Sequence, residues 1–245
     1  MTLPPWLAGH GGERGVARLL DYTLLRADAT WPEVRRLCDE AIELAVFAVC
    51  VNGGWVGRCV ERLRGSRVAV AAVIGFPLGA GSPAAKAAEA AIAVRDGAAE
   101  LDMVMALGAA RAAEWRAVAD DVAGVVAAAG GAPVKVILET AILTTAEIAR
   151  ACDAAREGGA AFVKTSTGFH AAGGATVEAV RAMRAAVGPA FGVKASGGIR
   201  TAADALTMLA MGANRLGTST LAGLREIVGP GAPALSELLG GEGRP

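Results

Sequence analysis

Short β-branched apolar runs alternate with alanine-rich stretches whose apolar residues recur three and four positions apart. The runs predict strands at Leu19–Thr23, Val46–Val51, Val68–Ile74, Glu100–Val104, Val134–Leu138, Phe162–Lys164, Gly192–Ala195 and Arg215–Gly217. The stretches between them predict helices near Trp31–Leu44, Trp55–Leu63, Ala84–Arg95, Ala112–Ala129, Thr145–Glu157, Thr176–Ala186, Ala202–Met211 and Leu221–Val228. Strict alternation with apolar strands implies a parallel sheet covered by helices. Eight such repeats in 245 residues favour an α/β fold closed into a single (β/α)8 TIM barrel over an open sheet. Glycine-rich ends frame this pattern, so residues 1–15 are expected to form a flexible N-terminal arm, 16–240 the barrel domain and 241–245 a frayed tail.

One recurrence fixes heights within the barrel. Gly97-Ala98, Gly159-Ala160 and Gly212-Ala213 each close a helical segment and precede a strand, as helix-stop glycines do. Five residues beyond each glycine stand Asp102, Lys164 and Gly217, which places all three near the C-terminal ends of strands four, six and eight, the rim where barrel chemistry sits. Alternation along the strands groups Glu100 with Asp102, Phe162 with Lys164, and Gly192 with Lys194.

Lysine use sharpens the picture. Of 24 basic residues only Lys86, Lys135, Lys164 and Lys194 are lysine, and the last three each follow a valine in a short apolar run. Arginine serves elsewhere, and a guanidinium stays protonated where an ammonium can give up its proton and become a nucleophile. Lys164 and Lys194 are one strand-helix repeat apart, so their ammonium groups are expected on neighbouring strands, where a like charge and desolvation favour the neutral amine. They read as an imine-forming lysine beside its activator; structural ion pairing is the competing reading. Asp102, set among apolar neighbours, needs a cationic partner if buried and suits proton relay.

Three late loops suit an anion: Lys164–Phe169 with Thr167 and Gly168, Lys194–Thr201 with Gly197 and Gly198, and Gly217–Thr220 with Ser219. Lys135 is expected as an ion-pair partner that could share a face with Glu139, and Lys86 as a solvated helix residue. Asp21 and Cys50 end strands one and two and could line the mouth, Cys50 more readily as a small apolar residue than as a thiol nucleophile. His10 and His170 are expected to be exposed and idle, and no residue set has metal-ligand spacing. Acidic and basic residues balance at 24 each without a basic run, which gives no support to nucleic-acid or membrane-surface binding. Four cysteines in a chain with a large core fit a reducing cytoplasm, and the absence of a leader-like N-terminus fits a protein that stays there.

The chain resembles the deoxyribose-phosphate aldolase family from about Leu20 to Leu224. The resemblance rests on Val73-Ile74-Gly75-Phe76-Pro77-Leu78-Gly79, Glu100-Leu101-Asp102-Met103-Val104, Lys135-Val136-Ile137-Leu138-Glu139-Thr140, Phe162 to Phe169 and Gly192 to Thr201. It implies a class I aldolase in which Lys164 forms the Schiff base, Lys194 lowers the pKa of that lysine and Asp102 is the acid-base group. It also implies that Gly168, Gly197, Gly198, Gly217 and Ser219 hold a phosphate, with no metal, no cofactor and a homodimeric assembly. The expected reaction is reversible cleavage of 2-deoxy-D-ribose 5-phosphate to acetaldehyde and D-glyceraldehyde 3-phosphate. Departures from the family pattern are Tyr22 in place of His, Gly53-Gly54 in place of Pro-Tyr, and Thr218 and Thr220 in the last loop. Rival readings are an aldolase for another phosphorylated aldehyde or ketose, a barrel that only binds a sugar phosphate, and a pyridoxal-phosphate enzyme.

Overall fold

In the computed structural model, which describes residues 3–8, 15–229 and 231–240, eight parallel strands close into a barrel in sequence order. They are β1 (Leu20–Leu24), β2 (Ala48–Val51), β3 (Ala69–Ile74), β4 (Glu100–Val104), β5 (Val134–Ile137), β6 (Phe162–Lys164), β7 (Gly192–Ser196) and β8 (Arg215–Thr218). Closure pairs Asp21 of β1 with Gly217 of β8. The helices begin where local chemistry allows: Thr30 with Glu33, Thr144 with Glu147 and Thr201 with Asp204 form reciprocal caps, and the Ser82 side chain accepts from Ala85 N. Gly97, Gly159 and Gly212 have φ of 102°, 84° and 128°, the left-handed backbone that ends a helix without a Cβ penalty.

Strand parity divides the protein into two chemistries. Outward residues such as Val49, Val70, Leu101, Met103, Val136, Val163, Val193 and Leu216 join the helices in one apolar core. The inward face carries Asp21, Glu100, Asp102, Lys135, Lys164, Lys194 and Arg215, together with Phe162 and a small apolar cluster of Leu25, Cys50, Ala71 and Val73 beside Phe76. Gly192 is glycine because the Phe162 ring fills its place: a Cβ there would lie 2.1 Å from Phe162 Cδ1. Charge thus fills an interior that apolar layers fill in most barrels of this kind.

Several expectations are corrected. The helix expected over Ala112–Ala129 begins only at Trp115 and runs to Ala128, and a separate short helix, Leu107–Arg111, precedes it, with Ala113 at φ 59° between the two. Gly53–Trp55 forms a single tight turn before the helix Val56–Arg62, and Leu235–Gly240 is a further short helix. Residues 3–8 of the expected loose arm are docked, with Leu7 fully buried and the Trp6 indole donating to Leu209 O at 3.0 Å. His10 and residues 241–245 lie outside the described residues. Lys86 is not solvated: it is 1% exposed and its ammonium lies 2.6 Å from Asp121 Oδ2. Among the described residues no helix is long and apolar enough to cross a membrane.

Candidate active site

The inward charges meet on one carboxylate. Asp102, from β4, accepts at Oδ1 from Lys135 Nζ and at Oδ2 from both Lys164 Nζ and Lys194 Nζ, each at 2.7 Å. Lys164 and Lys194 are register partners on β6 and β7. Their nitrogens share one oxygen, so they can be no further apart than twice that distance. Asp21 accepts from Lys194 at Oδ2 and from Arg215 at Oδ1, the latter at 3.0 Å. Below them, Glu100 Oε2 receives Lys135 at 2.7 Å and Arg215 at 3.1 Å. The Arg215 guanidinium stacks 3.5 Å from the centre of the Phe47 ring, so its flat face packs where its edge ion-pairs.

This ion-paired cluster sets Lys135, Lys164, Lys194 and Arg215 against Asp21, Glu100 and Asp102, one more cation than carboxylates. Burial alone would raise the pKa of Asp102, but Lys135, Lys164 and Lys194 outweigh it and hold the carboxyl well below the usual range. Asp21 follows the same logic: burial opposes ionisation, and Lys194, Arg215 and Lys135 enforce it. For Lys194, burial disfavours the ammonium, yet the charges of Asp102 and Asp21 prevail and raise its pKa, so it stays protonated. Lys135 is raised in the same way, against its burial, by Asp102, Asp21 and Glu100.

Of these charged residues, Lys164 is the one that lines the cavity of about 460 Å³ at the C-terminal mouth of the barrel. The same cavity is lined by Thr167, Gly168, Gly197, Gly198, Gly217 and Ser219, so all six loop residues expected around an anion come together there with Lys164. Asp102, Lys194 and Asp21 are fully buried beneath it, and Cys50 stands in the small apolar cluster, its thiol 4.0 Å from Asp102 Oδ2. Burial raises the Cys50 pKa, which keeps it a thiol.

Three details revise the roles expected from sequence. Thr167 does not offer its hydroxyl proton to a ligand, because Oγ1 donates to Glu139 Oε2 at 2.5 Å and its N–H faces the same carboxylate. Glu139 is therefore turned towards the β6 loop and not towards Lys135. Its left-handed backbone, φ 53°, lies two residues beyond β5 and leads into the tight turn Thr140–Ile142. The helix Ala202–Ala210 has its entrance filled by Asp204 Oδ2, which accepts from Arg200 N and Thr201 N, so an anion would be met by the Gly197-Gly198 turn ahead of it. That turn has φ of 85° and 89°, and a Cβ on Gly197 would come within 2.9 Å of Gly174 Cα, which explains glycine there. Tyr22 points out of the barrel and donates to Glu40 Oε2 at 2.7 Å. His170 is exposed as expected, its Nδ1 accepting from Ala172 N.

Sequence reasoning missed Arg215 as a member of the cluster, and Arg26 and Arg200 as cavity-lining residues. Arg200 was findable, since it follows the glycine pair. Arg26 carried no local signal, and it is held by Glu33 and Asp28. Among the described residues, no group of three or more His, Cys, Asp or Glu is placed to hold a metal ion.

Comparison with known proteins gives a consistent set of relatives. The sequence model of the DeoC/LacD family aldolases matches residues 16–228. The chain is 52% identical to a deoxyribose-phosphate aldolase of Enterococcus faecalis over 204 residues, 83% of this chain and 92% of that one. It is also 52% identical to a deoxyribose-phosphate aldolase of Thermococcus kodakarensis over 212 residues, 85% of this chain and 94% of the relative. Among solved structures, the tetrameric deoxyribose phosphate aldolase of Aeropyrum pernix superposes with a TM-score of 0.79 at 32% identity, covering 92% of this chain and 91% of that one.

Proposed function

The chain belongs to the DeoC/LacD aldolase family, and from that premise we propose that it reversibly cleaves 2-deoxy-D-ribose 5-phosphate to acetaldehyde and D-glyceraldehyde 3-phosphate through an imine on Lys164. The observation that carries the reading is the position of Lys164: its amine opens on the cavity while touching Asp102, which Lys194 also holds. An imine needs a lysine amine with access to a carbonyl carbon, and Lys164 is the one lysine of the cluster that lines the cavity.

In the proposed reaction the Lys164 amine adds to the open-chain aldehyde carbon, C1, and water leaves to give a protonated imine. The C2–C3 bond then breaks. Its electron pair flows into the imine to form an enamine, the C3 hydroxyl proton leaves through a water to Asp102, and glyceraldehyde 3-phosphate departs as the new aldehyde. A carboxylate held so far below its usual range stores no proton at rest, so Asp102 acts as a conduit that passes the proton on to the enamine carbon. Hydrolysis of the resulting imine releases acetaldehyde and regenerates the amine. Lys194 fixes Asp102 and stays charged throughout. The phosphate end of the substrate is assigned to the turns at Gly168, Gly197-Gly198 and Gly217–Ser219, whose glycines allow close backbone approach. Cys50 and Asp21, expected at the mouth, are fully buried and do not line the cavity, so they act only by supporting the groups above them, and Thr167 shapes its loop.

Borohydride reduction in the presence of acetaldehyde is expected to add a two-carbon ethyl group at Lys164 alone. Mass at Lys135 or Lys194 instead refutes the assignment. A barrel domain over 16–240, a homodimeric assembly and a cytoplasmic location belong to the same reading on the family resemblance; light scattering of the purified protein tests the assembly.

A further inference from the structure

The loop after β3 is gripped from behind by the helix Pro83–Arg95. Glu89 Oε2 accepts from Gly75 N at 2.7 Å. One turn earlier, the stem of Lys86 packs beneath the same glycine: a Cβ on Gly75 would lie 3.0 Å from Lys86 Cε. The Lys86 ammonium then reaches Val104 O, at the end of β4, at 3.0 Å and Asp121 Oδ2 at 2.6 Å. Residues three apart on a helix share a face, so both grips bear on one turn. Gly75 and Gly79 take φ of 62° and 65°, and Gly79 N donates to Gly75 O at 2.8 Å, closing the turn.

That turn carries Phe76. Its ring meets Phe169 edge to face, with centroids 5.1 Å apart, and Phe169 lines the cavity beside Lys164. Phe76 also covers the apolar cluster of Leu25, Cys50, Ala71 and Val73. Phe169 is anchored independently, since its N–H donates to Thr167 Oγ1 at 3.1 Å, and Thr167 is tied to Glu139. The two rings bridge the β3 and β6 loops at the edge of the cavity that Phe169 and Lys164 line. The grip on Gly75 acts on the residue directly before Phe76.

We propose that Glu89 and Lys86 are positioning residues that set the size of aldehyde accepted at Lys164, by holding Phe76 against Phe169. The proposal rests on the aldolase reading above. An extra methylene on the donor aldehyde must displace the ring pair, and rejection of one methylene by an apolar wall is typically about tenfold or more in kcat/KM.

The test measures kcat/KM for acetaldehyde and for propanal as donors, with glyceraldehyde 3-phosphate as acceptor. The wild-type chain is compared with Phe76→Ala, Glu89→Ala and Glu89→Gln. The ratio of the two donors does not depend on the fraction of protein folded, so a merely structural loss leaves it unmoved. Glu89→Ala is expected to narrow the ratio by roughly threefold or more in the direction of Phe76→Ala, while Glu89→Gln, which keeps an oxygen to accept from Gly75, retains the wild-type ratio. The clamp is overturned if Glu89→Ala leaves the ratio unchanged, if Phe76→Ala leaves it unchanged, or if Glu89→Gln narrows it as much as the alanine does. Wild-type protein that releases no acetaldehyde from 2-deoxyribose 5-phosphate overturns the reaction itself, a result distinct from an active enzyme with an unmoved ratio.

Discussion

Removing each lysine in turn from the charge cluster should separate stability from chemistry. Lys194 is fully buried and holds two carboxylates, Asp21 and Asp102. Replacing it with methionine keeps an unbranched stem of similar volume but leaves Asp21 Oδ2 with Lys135 at 3.6 Å as its remaining lysine partner. Breaking a buried pair from one side typically costs about 3–5 kcal/mol, a large part of the roughly 5–15 kcal/mol by which domains are stable. Lys164 stands differently. It contacts one carboxylate, that carboxylate keeps Lys135 and Lys194 at 2.7 Å, and its removal cancels the surplus positive charge. Lys164→Met should therefore cost less than about 1 kcal/mol, since an apolar replacement that leaves every remaining charge paired is often neutral. Urea unfolding followed by circular dichroism gives both free energies, and retro-aldol turnover coupled to glyceraldehyde 3-phosphate detection gives the activities. The expected pattern is a stable, inactive Lys164→Met and a destabilised Lys194→Met. Equal destabilisation of the two variants, or a larger loss for Lys164→Met, refutes the charge argument.

Gly192→Ala places a Cβ 2.1 Å from the Phe162 ring, which must move within a filled barrel, so a loss of about 1–3 kcal/mol is expected and an unchanged urea midpoint contradicts the packing argument. The pH dependence of stability has a defined window. Asp21 and Asp102 have lowered pKa values, so their contribution is complete above the unfolded value of about 3.9 and is lost as pH falls through their folded values; Lys135 and Lys194 have raised values, so theirs is complete below about 10.4 and is lost as pH rises through the folded values. Between roughly pH 4 and pH 10 the contribution of these four groups should be flat. A midpoint that falls between pH 7 and pH 5 in the wild type, but not in Asp102→Asn, would count against it.

Much of the site was legible because its signals are local. Three lysines behind valines, a carboxylate inside an apolar run and glycines five residues upstream of Asp102, Lys164 and Gly217 all reflect strand parity and helix termination, which the chain sets over a few residues. Parity correctly grouped Glu100 with Asp102, and the one-repeat spacing correctly set Lys164 beside Lys194 on neighbouring strands. The same rules failed for Lys86, whose alanine-rich helix gives no amphipathic cue that this position turns inward. They failed again at Ala113, where an alanine takes a left-handed turn that propensity does not anticipate.

The order of strands and helices, the face each strand turns inward and the types of residue placed at the rim were determined by the sequence, because hydrophobic period and glycine conformation act at short range. Which charges share an oxygen was decided only by closure of the barrel. Lys194 and Asp21 are 173 residues apart, and Arg215 and Glu100 are 115 apart; nothing in either neighbourhood names its partner. Register across eight strands brings them within hydrogen-bond reach, and burial then makes each pairing strong enough to fix the ionisation of the next.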